Sequence, residues 1–359
     1  MSYDAVLLLG FGGPEAPDEV RPFLEMVTAG RGIPPERLDE VGHHYVALGG
    51  VSPINAQNRA LRAALAAALD AREHPIPVVL ANRNSPPFVK DVLAELADSG
   101  AHRLLALATS AYSSYSSCRQ YRQDVGAALA GFPGLDIVKV PPFPDLPGFA
   151  EAAADALVPV LAEAGRRPYI LVTTHSIPLS MARTSGPEDR WPADPGAPGT
   201  YVTQHLAVAE AAVTLAAQRA GVEVPPWRLV FQSRSGPPAM PWLEPDVNDV
   251  LAELAAAGVR DVVAAPMGFL SDHVEVVWDL DTEAAATADA LGIRFTRVPT
   301  VGTHPAFVTG LADLIIRHLG ATAPRSPGQG ELCFGNCCPP QSRPGAPVDN
   351  RPTIEGVVA

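Results

Sequence analysis

Asp91-Val-Leu-Ala-Glu-Leu96 recurs letter for letter as Asp249-Val-Leu-Ala-Glu-Leu254. The surroundings of the two copies also match in order. Each continues as helix, then a glycine, then an apolar strand: Leu104 to Leu107 after the first copy, Val262 to Ala265 after the second. Upstream, the strand Ala5 to Gly10 runs into the turn Phe11-Gly-Gly-Pro14, and Tyr169-Ile-Leu-Val-Thr173 runs into Thr174-His-Ser-Ile-Pro178. A second pair is Pro77-Val-Val-Leu80 before Asn82-Arg-Asn-Ser-Pro-Pro87, echoed by Leu229-Val-Phe-Gln232 before Ser233-Arg-Ser-Gly-Pro-Pro238. Order kept over so many elements marks an internal duplication. Strands alternating with helical segments of crossover length form parallel sheets with helices on both faces. The fold expected is therefore α/β, with two similar Rossmann-like domains related by duplication. The first is expected over 1–148 and the second over 149–320, with Pro141-Pro-Phe-Pro-Asp-Leu-Pro147 as the link. Residues 321–359 form a Pro- and Gly-rich tail. Any site belongs at the strand carboxyl ends, in the cleft between the halves.

Duplication also shows what has diverged. His175 answers to Phe11, Glu275 to Ser117 and Val276 to Cys118. Acid–base chemistry therefore sits in the second half. There the strand Asp261-Val-Val-Ala-Ala265 leads into Ser271-Asp-His273, and the following helix carries Glu275, Asp279 and Glu283 at every fourth position. Such a row drifts slowly around an α-helix and would run almost straight along a π-turn. Ionised carboxylates in line repel one another. A row that begins at a strand's carboxyl end offers the oxygen ligands that hard cations prefer. His175, also at a strand end, adds a group that can take a proton or a metal. Arg31, His44, Tyr45, Ser52 and Arg234 are candidate anion contacts.

Composition sets limits on the rest. The net charge of −13 excludes a nucleic-acid partner. The first residues, Met1-Ser-Tyr-Asp-Ala-Val, read as a strand and not a leader, and no apolar run reaches membrane-spanning length, so a cytoplasmic protein is expected. Gly10-Phe-Gly-Gly-Pro14 lacks both the third glycine of a dinucleotide site and a phosphate-loop lysine. Of the four cysteines, Cys118 stands alone while Cys333, Cys337 and Cys338 crowd together. Four thiolates suit an iron–sulfur cluster or a structural zinc.

Taken together, Gly10-Phe-Gly-Gly-Pro14, Gly49-Gly-Val-Ser-Pro-Ile54, Tyr115-Ser-Ser-Cys-Arg-Gln-Tyr121, Thr174-His-Ser-Ile-Pro178, Phe231-Gln-Ser-Arg234, Pro241-Trp-Leu-Glu-Pro245 and Ser271-Asp-His-Val-Glu275 resemble the ferrochelatases. The likeness runs from residue 5 to about 320 and is greatest to the actinobacterial branch that inserts iron into coproporphyrin. The resemblance implies Fe2+ and a porphyrin as substrates, coproporphyrin III being the expected one and coprohaem the product. It places His175 and Glu275 on opposite sides of the macrocycle, serving metal and proton transfer. Asp279 and Glu283 then line a metal route on a π-widened helix, and Phe11, Arg31, His44, Tyr45, Ser52 and Tyr115 meet the porphyrin. It further implies a 2Fe–2S cluster on Cys118, Cys333, Cys337 and Cys338, and passing contact with neighbouring haem-pathway enzymes.

There are departures from the family pattern. Phe11 stands where some coproporphyrin enzymes have a Tyr able to ligate product iron, His44 where Arg is common, and Ser85 where an aromatic is usual. Cys337 and Cys338 are adjacent, a compressed spacing. The rival readings are a protoporphyrin IX ferrochelatase, a cobalt or nickel chelatase of a sirohydrochlorin-type ring, and a haem- or cluster-binding sensor without turnover.

Overall fold

The computed structural model describes residues 2–320 other than Arg31, Pro195, Pro237 and Pro238, together with residues 337–340. In the first half, β1 (Ala5–Gly10) is followed by helices α1 (Val20–Thr28), α2 (Pro35–Ala47) and α3 (Ile54–Asp70). Then come β2 (Val78–Asn82), α4 (Val89–Asp98), β3 (Arg103–Ala108), α5 (Gln120–Leu129) and β4 (Asp136–Lys139). Helix α6 (Pro147–Leu161) leads to β5 (Tyr169–His175), α7 (Leu179–Arg183) and α8 (Thr200–Ala220). The second half continues with β6 (Trp227–Gln232), α9 (Val247–Ala256), β7 (Asp261–Ala265), α10 (Val274–Val277), α11 (Ala285–Ala290), β8 (Arg294–Arg297) and α12 (Pro305–Leu319).

The strands form two parallel sheets of the same topology, β2-β1-β3-β4 and β6-β5-β7-β8. Their registers align the halves: Ala5 pairs with Leu104 as Tyr169 pairs with Val262. Carried along the strands, this alignment puts Phe11 and His175 at equivalent strand ends. One part of the sequence echo fails. Pro237 and Pro238 lie outside the described residues, and the structural counterpart of the cis Pro86–Pro87 bond is the cis Glu244–Pro245 bond. There Asn82 N bonds Pro87 O and Phe231 N bonds Pro245 O in the same way. The second half carries a longer loop at this point, so matching dipeptides fell out of register.

The apolar runs of β1 and β5 are buried on both faces, as central strands of a covered parallel sheet must be. Alternate residues face opposite layers. Val6, Leu8, Ile170 and Val172 enter one shared core, while Ala5, Leu7 and Leu9 face a separate cluster under α4 and α5, and Leu171 faces another under α9. The shared core takes in residues of α3, α6, α8 and α12, so the last described helix closes back against the first half. Cleft-side hydrogen bonds also join the halves: Tyr112 Oη donates to Met267 O at 2.8 Å, and Asp272 N donates to Gln57 Oε1 at 2.8 Å. These contacts bring the loops at the carboxyl ends of the two sheets together.

Candidate active site

His175 is the last residue of β5, where a parallel strand delivers its side chain to the cleft. Its Nδ1–H is engaged by the carbonyl of Ser176. Ser176 is itself fixed, its N–H to Gln232 O at 2.8 Å and its hydroxyl to Leu243 O at 2.8 Å. The carbonyl of His175 accepts from Tyr201 Oη at 2.9 Å. Beneath lies a buried polar network: Thr174 Oγ1 is 2.9 Å from both Tyr201 Oη and His205 Nε2, and His205 stacks on Tyr112. Burial pushes the His205 imidazole down to about 3. It is therefore neutral, with Nδ1–H donated to Tyr201 O at 2.7 Å and Nε2 left to accept. Gly268 is required here, because a Cβ would lie 2.2 Å from Thr174 Oγ1.

With Nδ1 committed, His175 turns Nε2 toward Glu275, 3.5 Å from its Oε2. Burial in the cleft lowers the imidazole's affinity for a proton, but the hydrogen bond and charge of Glu275 outweigh it and leave His175 above its ordinary value. Burial raises Glu275 in turn, and contact with His175, with help from His273 and His44, brings its carboxyl well below the usual range. The two side chains form a close ion pair, so His175 and Glu275 stand side by side and not on opposite sides of a bound ring as the resemblance implied.

Glu275 lies on α10, and the helix then widens into a π-turn over Trp278–Ala284 that carries Asp279 and Glu283. The corresponding helix of the first half opens with its own π-turn, Tyr115–Arg119. Asp279 accepts from the Ser233 hydroxyl and from Gln232 Nε2 at 3.2 Å, both through Oδ2. Burial, opposed by the Ser233 hydrogen bond and reinforced by Glu275 and Glu283, raises its carboxyl to about 7. Glu283 accepts from Trp278 Nε1 at 2.8 Å through Oε1. Arg297 clamps the loop to the π-turn, bonding Asp272 at 3.0 Å and Asp281 at 2.6 Å.

The other residues singled out in the sequence are distributed around this centre. Phe11 is exposed at the cleft, edge-on to Phe23 and with the Arg83 guanidinium 5.6 Å from its ring. Ser52 is buried behind the Gly12-Gly13 turn. Tyr45 is buried against Phe23, where burial and the Glu275 charge raise its phenol. His44 lies flat on Trp278. Tyr115 donates to Gln123 Oε1 at 3.0 Å, and Arg234 to Met240 O at 3.2 Å. Arg31 and Cys333 lie outside the described residues. Ser85 hydrogen-bonds Gly13 N at 3.0 Å and holds the first turn.

Cys118 is distant in sequence from the adjacent Cys337 and Cys338, yet the three are buried together, with the last two sulfurs 3.9 Å apart. Gly186 N donates to Cys338 Sγ at 3.1 Å, and Lys139 Nζ is 3.6 Å from Cys118 Sγ. Among the described residues, no group of three or more His, Cys, Asp or Glu side chains is arranged to hold a metal ion.

Sequence reasoning missed Gln232, Ser233, Trp278 and His273 as parts of the site. The first two sat inside a motif quoted without a role. His273 precedes α10 and packs edge-on to Phe269, 5.2 Å between ring centroids.

An imidazole that can take a proton, backed by a carboxylate and followed by a file of oxygen ligands, is what replacing two protons of a ring by a cation requires. Fold and site together define a metal chelatase. The model of the family described as "Ferrochelatase" matches residues 3–319, and the chain belongs to that family of porphyrin metal-inserting enzymes. A protein of Propionibacterium freudenreichii named coproporphyrin III ferrochelatase is 48% identical, over 100% of this chain and 99% of its own. Proteins of the same name from Streptomyces coelicolor (48%, covering 96% of each chain) and Nocardia farcinica (44%, covering 96% and 99%) are similar along their lengths.

Proposed function

We infer that the chain inserts ferrous iron into coproporphyrin III, giving coprohaem. The observation that carries the chemistry is the His175–Glu275 couple, 3.5 Å apart, at the head of the carboxylate file. The substrate assignment is supported by the names of relatives 48% identical over nearly the whole chain. Two pyrrolic protons must leave before iron can enter the ring plane. Binding that bends the macrocycle exposes a nitrogen lone pair, and interactions elsewhere on the ligand offset the strain. His175, with Nδ1 committed to Ser176 O, accepts a proton at Nε2, and Glu275 stabilises the imidazolium that forms. Asp279 and Glu283 hold Fe2+ with oxygen ligands and pass it inward. Phe11, Arg31, His44, Tyr45, Ser52 and Tyr115 belong to the porphyrin side in this reading.

The cluster is part of the same proposal. Three buried thiols gathered from two parts of the chain fit a group that needs thiolates. A backbone N–H on one sulfur and the Lys139 amine beside another are contacts that metal-bound thiolates would use. Cys118, Cys333, Cys337 and Cys338 would hold a 2Fe–2S cluster, which when bound supplies a one-electron couple and a metal clip on the chain. A cytoplasmic location and passing contact with enzymes that supply the porphyrin or take the product complete the proposal. They rest on the sequence expectation.

Anaerobic incubation with Fe2+ and either coproporphyrin III or protoporphyrin IX, followed by absorbance, tests the assignment. Coproporphyrin has two more carboxylates, each contact to which is worth about 1–3 kcal/mol. A large preference in kcat/KM for coproporphyrin is expected, and Arg31→Ala should shrink it. Equal efficiency on the two rings, or stoichiometric binding without turnover, rejects it.

A further inference from the structure

Each carboxylate of the file is tied through one oxygen: Glu275 Oε2 to His175, Asp279 Oδ2 to Ser233 and Gln232, Glu283 Oε1 to Trp278. Asp279 is the most heavily constrained of the three. Its donors are Gln232, the last residue of β6, and Ser233 directly after it, and both reach the same oxygen, so Oδ1 has no hydrogen-bond donor among the described residues. Ser233 makes its contact from a left-handed backbone, φ +61°. A serine adopts that conformation only where its surroundings hold it there, and such residues gather at functional sites. What holds it is the sheet. Gln232 pairs with His175 in the β5–β6 register, and its carbonyl accepts from Ser176 N at 2.8 Å. The peptide that anchors Ser176, and through it the His175 ring, is thus continuous with the serine that anchors Asp279. Gln232 is also buried, and its Oε1 has no hydrogen-bond partner among the described residues, leaving a carbonyl-type acceptor beside the file.

We propose that Gln232-Ser233 is the positioning element of the iron route, holding Asp279 by Oδ2 so that Oδ1 alone meets Fe2+. A carboxylate tied at one oxygen binds a cation through the other. It therefore holds less tightly than a bidentate group and releases more readily to the next station. The left-handed turn sets the Ser233 hydroxyl at the correct side of the π-turn, and a residue in extended backbone would turn its side chain away. This proposal rests on the reading that Asp279 lies on the iron route.

The test is steady-state kinetics of the full chain with anaerobic Fe2+ and coproporphyrin III, with the two substrates varied separately. Ser233→Gly keeps the backbone conformation and removes the hydroxyl. It should raise KM for Fe2+ about tenfold, the loss of one charge-assisted hydrogen bond, and leave KM for the porphyrin unchanged. Ser233→Asn, whose side chain tolerates the left-handed region and can donate an N–H, should recover part of that loss. Asp279→Ala should raise KM for Fe2+ at least as much, and adding Ser233→Gly to it should cost nothing further. If Asp279→Ala raises KM for Fe2+ and Ser233→Gly does not, the positioning role is wrong while the route stands. If Asp279→Ala leaves it unchanged, the route reading fails and takes the proposal with it. A rise in both KM values without rescue by Asn reduces Ser233 to a structural residue.

Discussion

His44 lies flat against Trp278, ring centroids 4.2 Å apart and planes 7° from parallel, and the indole N–H of Trp278 is donated to Glu283 at 2.8 Å. Helix α2 is thereby stacked on the π-turn that carries the outermost carboxylate. Trp278→Phe keeps a ring for His44 and removes the N–H. We expect KM for Fe2+ to rise several-fold with the melting temperature nearly unchanged. His44→Ala removes the stack, worth about 0.5–1.5 kcal/mol, and should lower the melting temperature. Calorimetry beside the kinetics separates the two, and a Trp278→Phe enzyme with normal iron dependence removes Glu283's tether from the mechanism.

The pH behaviour of the His175–Glu275 couple has a definite sign. His175 is raised in the fold, so its contribution to stability is complete below its unfolded value of about 6.5 and is lost as pH rises through the folded value. Glu275 is lowered, so its contribution is present above its unfolded value of 4.5 and is lost as pH falls through the folded value. The ion pair is therefore strongest between those limits. Turnover needs His175 free to accept a proton, so the rate should climb as pH passes its raised value. Glu275→Gln removes the charge, and an NMR titration should find His175 titrating at lower pH than in the parent. An unchanged or higher value would show that something other than Glu275 holds the proton on.

Gly268 sits where a methyl group cannot. A Cβ there meets Thr174 Oγ1 at 2.2 Å and Thr174 Cβ at 2.5 Å. Gly268→Ala must push Thr174 off Tyr201 and His205, and with them the support of the His175 carbonyl. Overpacking of this kind costs about 1–3 kcal/mol. Denaturant unfolding should show that loss together with a fall in kcat. A fall in stability with normal kcat would mean that the network supports the fold and not the catalytic imidazole.

How much of this was legible in the sequence follows from which residues act alone. β1, β3, β5 and β7 could be read because central parallel strands are continuous apolar runs. Asp136–Lys139 and Arg294–Arg297 escaped notice: both are four-residue edge strands flanked by charges, and they lack that pattern. His175 and the acidic row stood out because strand ends and four-residue spacing are properties of the chain itself. Ser233 did not, because its role exists only once β6 and the π-turn face one another, and Trp278 did not, because its bond to Glu283 and its stack on His44 exist only once the π-turn forms and meets α2. The proline echo misled for a related reason: two loops of different length happened to carry the same dipeptide.

Lys139 is 5% exposed, and its described partners are Val140 O at 3.0 Å and Cys118 Sγ at 3.6 Å. In the proposed cluster, a metal-bound thiolate at Cys118 would set a negative charge beside the Lys139 amine. Metal ligation would keep that sulfur deprotonated, so charge balance and assembly of the proposed cluster would support each other. Purified protein should be brown, with visible absorption bleached by dithionite and about two irons and two sulfides per chain. Cys118→Ser should lose the colour, strand Lys139 and lower the melting temperature. It should also speed protease cleavage beyond residue 320, since the described contacts of Cys338 with Gly186 are one backbone hydrogen bond and one N–H to its sulfur, 3.1 Å each. Iron insertion would then fall in step with stability, because no thiol belongs to the proton or iron path, and Lys139→Met should weaken the colour while sparing KM for Fe2+. A colourless protein holding one zinc would replace the cluster and keep the clip. Unchanged protease resistance in Cys118→Ser would reject both.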